Sequence, residues 1–175
     1  MVLAACEYTD ERALACDFSD PYYTDVPPAI LVKADKADQY KTLADFNGKS
    51  IGAQTATTKL DMVNEMEGVN PVALQSVLDL VNELVYDKVD AILVDGGVAK
   101  QYAEANPDLV ICTWEFDVKA EYSANVIMMQ KGETELLDAV NAILAQAKEA
   151  NLYDGWYKDA VDLGKSENAQ ELTLG

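Results

Sequence analysis

The chain has 175 residues, half of them hydrophobic and a quarter charged, which excludes a disordered or fibrous protein and fits one domain or two small lobes. Its 31 acidic and 13 basic residues give a net charge of −18, spread as −5, −6 and −7 over residues 1–28, 29–114 and 115–175; such a surface repels nucleic acid and anionic lipid. There is no histidine, and Cys6, Cys16 and Cys112 form no Cys-x-x-Cys, so His-based nucleophilic triads, imidazole metal sites and thioredoxin-type motifs are excluded.

Residues 2–5 are a short apolar run of strand type, and Thr9 before Asp10 and Glu11 caps a short helical turn. After Pro27-Pro28, residues 29–32 read as a buried strand. Asn47-Gly48 turns the chain into a strand at 50–53. Gly48-Lys49-Ser50 is that turn and not the end of a P-loop, because Leu43 stands where the loop needs glycine. Thr57-Thr58 cap a helix carrying Leu60, Val63 and Met66 at helical spacing. A helix over 76–85, a strand over 89–94, a short helix over 98–105 and a strand over 109–112 follow. The next strand holds 126–129 and ends at Gly132.

Leu136, Leu137, Val140, Ile143, Leu144 and Ala147 then form the apolar stripe of a long helix. A final helix holds Leu152, Trp156 and Tyr157, its two aromatics expected as core anchors. Strands alternating with helices imply an α/β fold with largely parallel sheets. The cysteines are expected to be buried and structural. No apolar run nears the ~18 residues of a membrane span. Leu3-Ala4-Ala5-Cys6 lacks the apolar region that must precede a lipoprotein cleavage box.

Several strings point further. Glu7-Tyr8-Thr9-Asp10-Glu11-Arg12 is followed by Asp17-Phe18-Ser19-Asp20-Pro21-Tyr22-Tyr23. Then come Leu43…Asn47-Gly48-Lys49-Ser50-Ile51-Gly52-Ala53-Gln54, Thr57-Thr58 and Val89-Asp90-Ala91-Ile92-Leu93-Val94-Asp95, and late in the chain Lys131-Gly132 and Asn151-Leu152-Tyr153. In order and spacing this series resembles the polar amino-acid-binding proteins of ABC importers, the bacterial extracellular solute-binding proteins of family 3. The resemblance implies a fold like the type II periplasmic binding proteins, with two α/β lobes, mostly parallel sheets and a discontinuous lobe 1. Residues 1–28 would be part of lobe 1 and hinge, 29–114 lobe 2, and 115–175 hinge and return to lobe 1. The chain opens directly on a strand, and by this resemblance lobe 1 is incomplete, lacking the family's N-terminal stretch.

The same resemblance implies the site. An amino acid offers a carboxylate and an ammonium on one carbon, so a receptor needs an anion clamp beside an acid. Arg12, the one arginine in the sequence, matches the carboxylate-binding arginine, and its planar fork gives bidentate contact that lysine cannot copy. Thr57 and Thr58 would offer helix-terminal N–H groups to that carboxylate, or act simply as helix caps. Ala56 replaces the family's glycine before them. Asp95, just past the end of a strand, would hold the ammonium. Gln54 matches a position that often reaches the ligand, and Ala5 and Glu7 lie in the matching stretch of the first strand. Glu7 stands where serine or threonine is usual, and could hold the ammonium, favour a cationic ligand, or repel the ligand's carboxylate.

No cofactor or metal is implied. The expected partners are a small amino acid, the membrane subunits of an ABC transporter and a second copy of the chain along the exposed lobe 1 edge. The expected location of the complete protein is periplasmic or extracellular. A dehydratase-like enzyme using Glu7 or Asp95 as acid or base, or a ligand-sensing domain, are the alternatives on the same fold.

Overall fold

The strands assemble into two sheets in a computed structural model that describes residues 1–24, 26–113, 118 and 124–164. The elements run β1 (Val2–Glu7), α1 (Asp10–Ala13), β2 (Cys16–Phe18), β3 (Tyr23–Thr24), β4 (Ala29–Lys33), β5 (Ser50–Gln54), α2 (Thr58–Glu65), β6 (Asn70–Leu74) and α3 (Val77–Val85). They continue as β7 (Ala91–Val94), α4 (Gly96–Ala105), β8 (Leu109–Ile111), β9 (Ala124–Gln130), α5 (Thr134–Glu149) and α6 (Leu152–Gly164). Contacts divide the chain into two compact units, Met1–Thr24 with Ala124–Gly175, and Asp25–Ser123.

In the second unit the sheet order is β6-β5-β7-β4-β8. β5 runs parallel to β6 and β7, whereas β4 runs antiparallel to both its neighbours, β7 and β8. β5, β6, β7 and β8 therefore share one direction, and β4 alone is reversed. Side chains alternate along each strand, which gives the sheet two covered faces. Ile30, Val32, Ile51 and Leu93 pack with Phe46, Met62 and Val63 on one side. Leu31, Ile92 and Val94 pack with Leu80, Leu84 and Ala99 on the other. Gly52 is required by this packing, since a Cβ there would lie 2.7 Å from Leu80 Cδ2.

In the first unit β9 is central: β1, β2 and β3 all pair with it, and all antiparallel. The expectation of mostly parallel sheets therefore needs correcting to mixed sheets. Parallel neighbours need a crossover of a dozen or more residues, usually a helix. Helices α2 and α3 supply that between β5, β6 and β7. β9 reaches β1, β2 and β3 only after the whole stretch Asp25–Ser123, and 3₁₀ turns, Ala34–Gln39 and Leu43–Phe46, stand between β4 and β5 in place of a crossover helix.

The long amphipathic helix forms as expected, but its stripe is only partly covered: Leu137, Val140, Leu144 and Ala147 are half-buried, and Leu136 and Ile143 are exposed. Neither α5 nor α6 has a buried residue. Ile143 is 64% exposed and Trp156 59% exposed, so Trp156 is not a core anchor in the described residues. Tyr157 stacks on Tyr23, ring centroids 5.3 Å apart, at the margin of the sheet. The cysteines are free and only half-buried.

Candidate functional site

In the first unit, Thr9 caps α1 by accepting the Arg12 N–H at 3.1 Å. This places Arg12 at the end of the turn, and its guanidinium donates to the Glu7 carbonyl at 3.0 Å. Arg12 and Glu7 are thus brought together at the C-terminal end of β1. The Glu7 side chain is buried there and Arg12 half-buried. Ala5 lies at an irregularity of the β1–β9 ladder with φ +49°, exposed.

The second unit gathers the other candidates. Gln54 ends β5, and its side-chain amide donates to the Gln75 carbonyl at 2.8 Å. Ala56 has φ +61°, a left-handed conformation that costs a residue with a Cβ about 1–2 kcal/mol. Glycine at that point of the motif would adopt it freely. Thr57 is the N-cap of α2: its hydroxyl donates to the Gln54 carbonyl at 2.7 Å and accepts the Leu60 N–H at 3.4 Å. With that hydroxyl committed to the cap, the N–H groups of the first turn are what Thr57 and Thr58 have to offer an anion. The Thr58 side chain is fully buried.

Asp95 follows β7 directly, at the carboxyl end of the strand, and is the N-cap residue of α4. Its side chain makes no capping bond. It pairs with Lys59 Nζ instead. Lys59 is a further candidate that the sequence does not disclose. A lysine in the first turn of a helix reads as a solvated charge, and only the tertiary neighbour shows otherwise. Gln54, Thr57, Lys59 and Asp95 line one small cavity of about 20 Å³, closed behind by Val77, Leu93 and Val98. This half of the candidate set therefore has a positive helix end, a buried ammonium and a half-exposed carboxylate within one wall. Among the described residues no cluster of acidic and sulfur side chains suits a metal ion.

The comparisons with known proteins follow from this geometry. The family model for bacterial extracellular solute-binding proteins, family 3, matches residues 1–159. A probable histidine-binding protein of Campylobacter jejuni is 30% identical over 157 residues, covering 88% of this chain and 59% of that protein. An amino acid ABC transporter substrate-binding protein of Streptococcus pneumoniae, AbpA, solved bound to L-arginine, superposes with a TM-score of 0.85 at 30% identity, over 93% of this chain and 68% of that one. An ancestral amino-acid-binding protein, AncCDT-1, described as a precursor of cyclohexadienyl dehydratase, is 32% identical with a TM-score of 0.75, over 89% and 65% of the two chains. The chain thus spans somewhat less than two thirds of the length of the first relative.

Proposed function

Because the chain belongs to the bacterial extracellular solute-binding proteins of family 3, we propose that it serves in the extracytoplasmic capture of an amino acid and its delivery to an ABC importer. The observation that carries this reading is the family match across residues 1–159. The named relatives are binding proteins, and the ancestral one with a dehydratase descendant is itself described as amino-acid-binding. An enzymatic reading finds only Glu7 and Asp95 as acids to use, and nothing in their surroundings favours it.

In this proposal Arg12 takes the ligand carboxylate by its guanidinium fork, with Glu7 orienting Arg12 through its carbonyl. Within the second unit, the amides of Thr57 and Thr58 offer N–H groups to an anion, Asp95 holds an ammonium and Gln54 lines the cavity beside them; within the first, Ala5 lies on the same strand as Glu7. A basic amino acid suits the molecule best: a net charge of −18 raises the local concentration of cations, and the relatives named above are described with histidine and L-arginine. The uncovered apolar face of the first unit supports self-association as a second proposal. There Leu3 and Trp156 flank an open cavity of about 330 Å³.

The test is a titration of the chain with L-arginine, L-histidine and L-glutamate, by calorimetry and by NMR so that weak binding is also read. Saturable binding of a basic amino acid, weakened by Asp95→Asn in a variant that still melts cooperatively, is the expected outcome. Binding unaffected by Asp95→Asn removes that residue from the site. No binding of any of the three overturns the reading.

A further inference from the structure

We propose that Asn47-Gly48 is a latent modification site: a deamidation-prone step that the fold keeps closed, with Gly68 as the residue that closes it. It is the one Asn-Gly step in the sequence, and both of its residues are exposed. In such a step the backbone nitrogen that follows the asparagine attacks the side-chain carbonyl carbon. The bond from Gly48 N to Asn47 Cγ forms, and the Asn47 side-chain nitrogen leaves as ammonia, taking the proton of the Gly48 N–H. The product is a five-membered imide, which water opens at one carbonyl or the other to give aspartate or isoaspartate. Nothing is oxidised or reduced. Glycine after the asparagine favours the attack because it has no side chain to obstruct it.

The turn holds the atoms that must move. Asn47 has φ −59° and ψ 126° and Gly48 has φ +74°, the central residues of a type II turn. The Lys49 N–H closes that turn on the Phe46 carbonyl at 2.9 Å, and Phe46 is fully buried. Imide formation needs the Gly48 nitrogen eclipsed with Asn47 Cβ about the Cα–C bond, and at the observed ψ it stands well over a quarter-turn away. Rotation there swings the Gly48 backbone, which is bonded on both sides. Its N–H, the attacking group, donates to the Gly68 carbonyl at 2.7 Å. Its carbonyl accepts from Asn70 Nδ2 at 3.2 Å. The Asn70 N–H donates in turn to the Lys49 carbonyl at 2.8 Å, so the turn before β5 is laced to the start of β6.

Gly68 makes this lacing possible. Its φ of +75° is left-handed, and the Asn47 carboxamide rests against it. A Cβ on residue 68 would stand 2.9 Å from Asn47 Cγ and nearer still to the carboxamide oxygen. Any side chain there must displace either the carboxamide or the Gly68 carbonyl that holds the attacking N–H. Opening has a structural consequence as well. Isoaspartate adds a carbon to the main chain of the turn, which separates the first pair of the β5–β6 ladder, Ser50 with Asn70.

The test holds the chain, a free peptide of residues 42–49 and the Gly68→Ala variant at pH 8 and follows conversion of Asn47 by mass spectrometry of tryptic residues 42–49. The chain should convert roughly tenfold or more slowly than the peptide, because attack waits for local opening of the turn. Gly68→Ala should convert roughly threefold or more faster than the unmodified chain, by the same dependence on opening. Equal rates in chain and peptide overturn the inference. Slow conversion that Gly68→Ala does not quicken overturns it too, since the protection then lies outside the clamp. If Gly68→Ala loses cooperative melting, Asn70→Ala, which removes the side-chain bond to the Gly48 carbonyl, takes its place with the same two outcomes.

Discussion

Arg12 is the one arginine in the chain, and the structure spends two contacts on placing it, the Thr9 cap on its N–H and the Glu7 carbonyl on its guanidinium. Arg12→Lys keeps the charge but loses the fork. Ligand affinity should fall by the worth of a charge-assisted hydrogen bond, about 1.5–3 kcal/mol, with little change in melting temperature. Calorimetry against the unmodified chain checks this, and equal affinities would take Arg12 out of the site.

Cys112 offers a second check at this scale. Burial pushes its thiol up from 9.0 to about 11, so it stays protonated at neutral pH. At pH 8, its alkylation by iodoacetamide, followed by peptide mass spectrometry, should lag behind that of an unstructured cysteine peptide by at least tenfold, because the thiolate is the nucleophile. At this scale the sequence points to Arg12 and Asp95 as candidates, because their neighbours in sequence carry the motif. It hid Lys59, whose meaning comes from a residue 36 positions away.

Two pairs of strings that are far apart in sequence turn out to be joined across elements. Asp17, in β2, accepts the Gly132 N–H at 2.7 Å and lies 3.3 Å from Lys131 Nζ, tying the first string to the turn after β9. Asp90, just before β7, accepts the N–H and hydroxyl of Ser50 at 2.9 and 3.0 Å, tying β7 to the start of β5. These strings are therefore structural joints as much as signatures of function. Partial burial alone would raise the Asp90 pKa, but the Ser50 bonds and Lys49 outweigh it and hold it below the usual carboxylate value.

Asp90→Ala should cost about 1–3 kcal/mol in chemical denaturation. Because the folded pKa is depressed, the Asp90 contribution is complete above the ordinary carboxylate value of ~3.9 and is lost as pH falls through the folded one. The gap between variant and unmodified chain should therefore be full at pH 6–7 and narrow below about pH 4; a gap that widens in acid would contradict it. Among elements, the apolar strands β4, β5 and β7 and helices α2, α3 and α5 could be read from periodicity. β6 could not, because Asn70 and Pro71 open it. Proline suits an edge strand, which is where β6 lies, but it is a poor strand signal. β2 and β3, three and two residues long, hold their form only by pairing with β9. Strand direction was misjudged for the same reason, since it depends on connections and not on composition.

At the scale of the molecule, the two units differ in how they cover their apolar surface. The second has a core on both faces of its sheet. The first leaves Leu3 60% exposed on β1, an edge strand, beside the half-covered apolar sides of α5 and α6, where Ile143 and Trp156 are exposed. An apolar face with an open strand edge recruits further chain. Light scattering of the chain should show a dimer or larger species at micromolar concentration, and Leu3→Glu with Trp156→Glu should shift it to monomer. A monomer before substitution would refute the self-association proposed above.

The dependence of β1, β2 and β3 on β9 also sets a timetable. During synthesis β1, β2 and β3 wait for β9, the strand they pair with here, until residues 124–130 are made. At about 5–20 residues per second that is a delay of roughly 5–20 s. The contiguous stretch Asp25–Ser123 is complete before then and can close its own sheet in the interval. The sheet around β9 is thus the last to form, although three of its strands are made before the second unit. A nascent chain halted before β9 carries a finished second unit and apolar strands awaiting their partner, the kind of segment that chaperones hold.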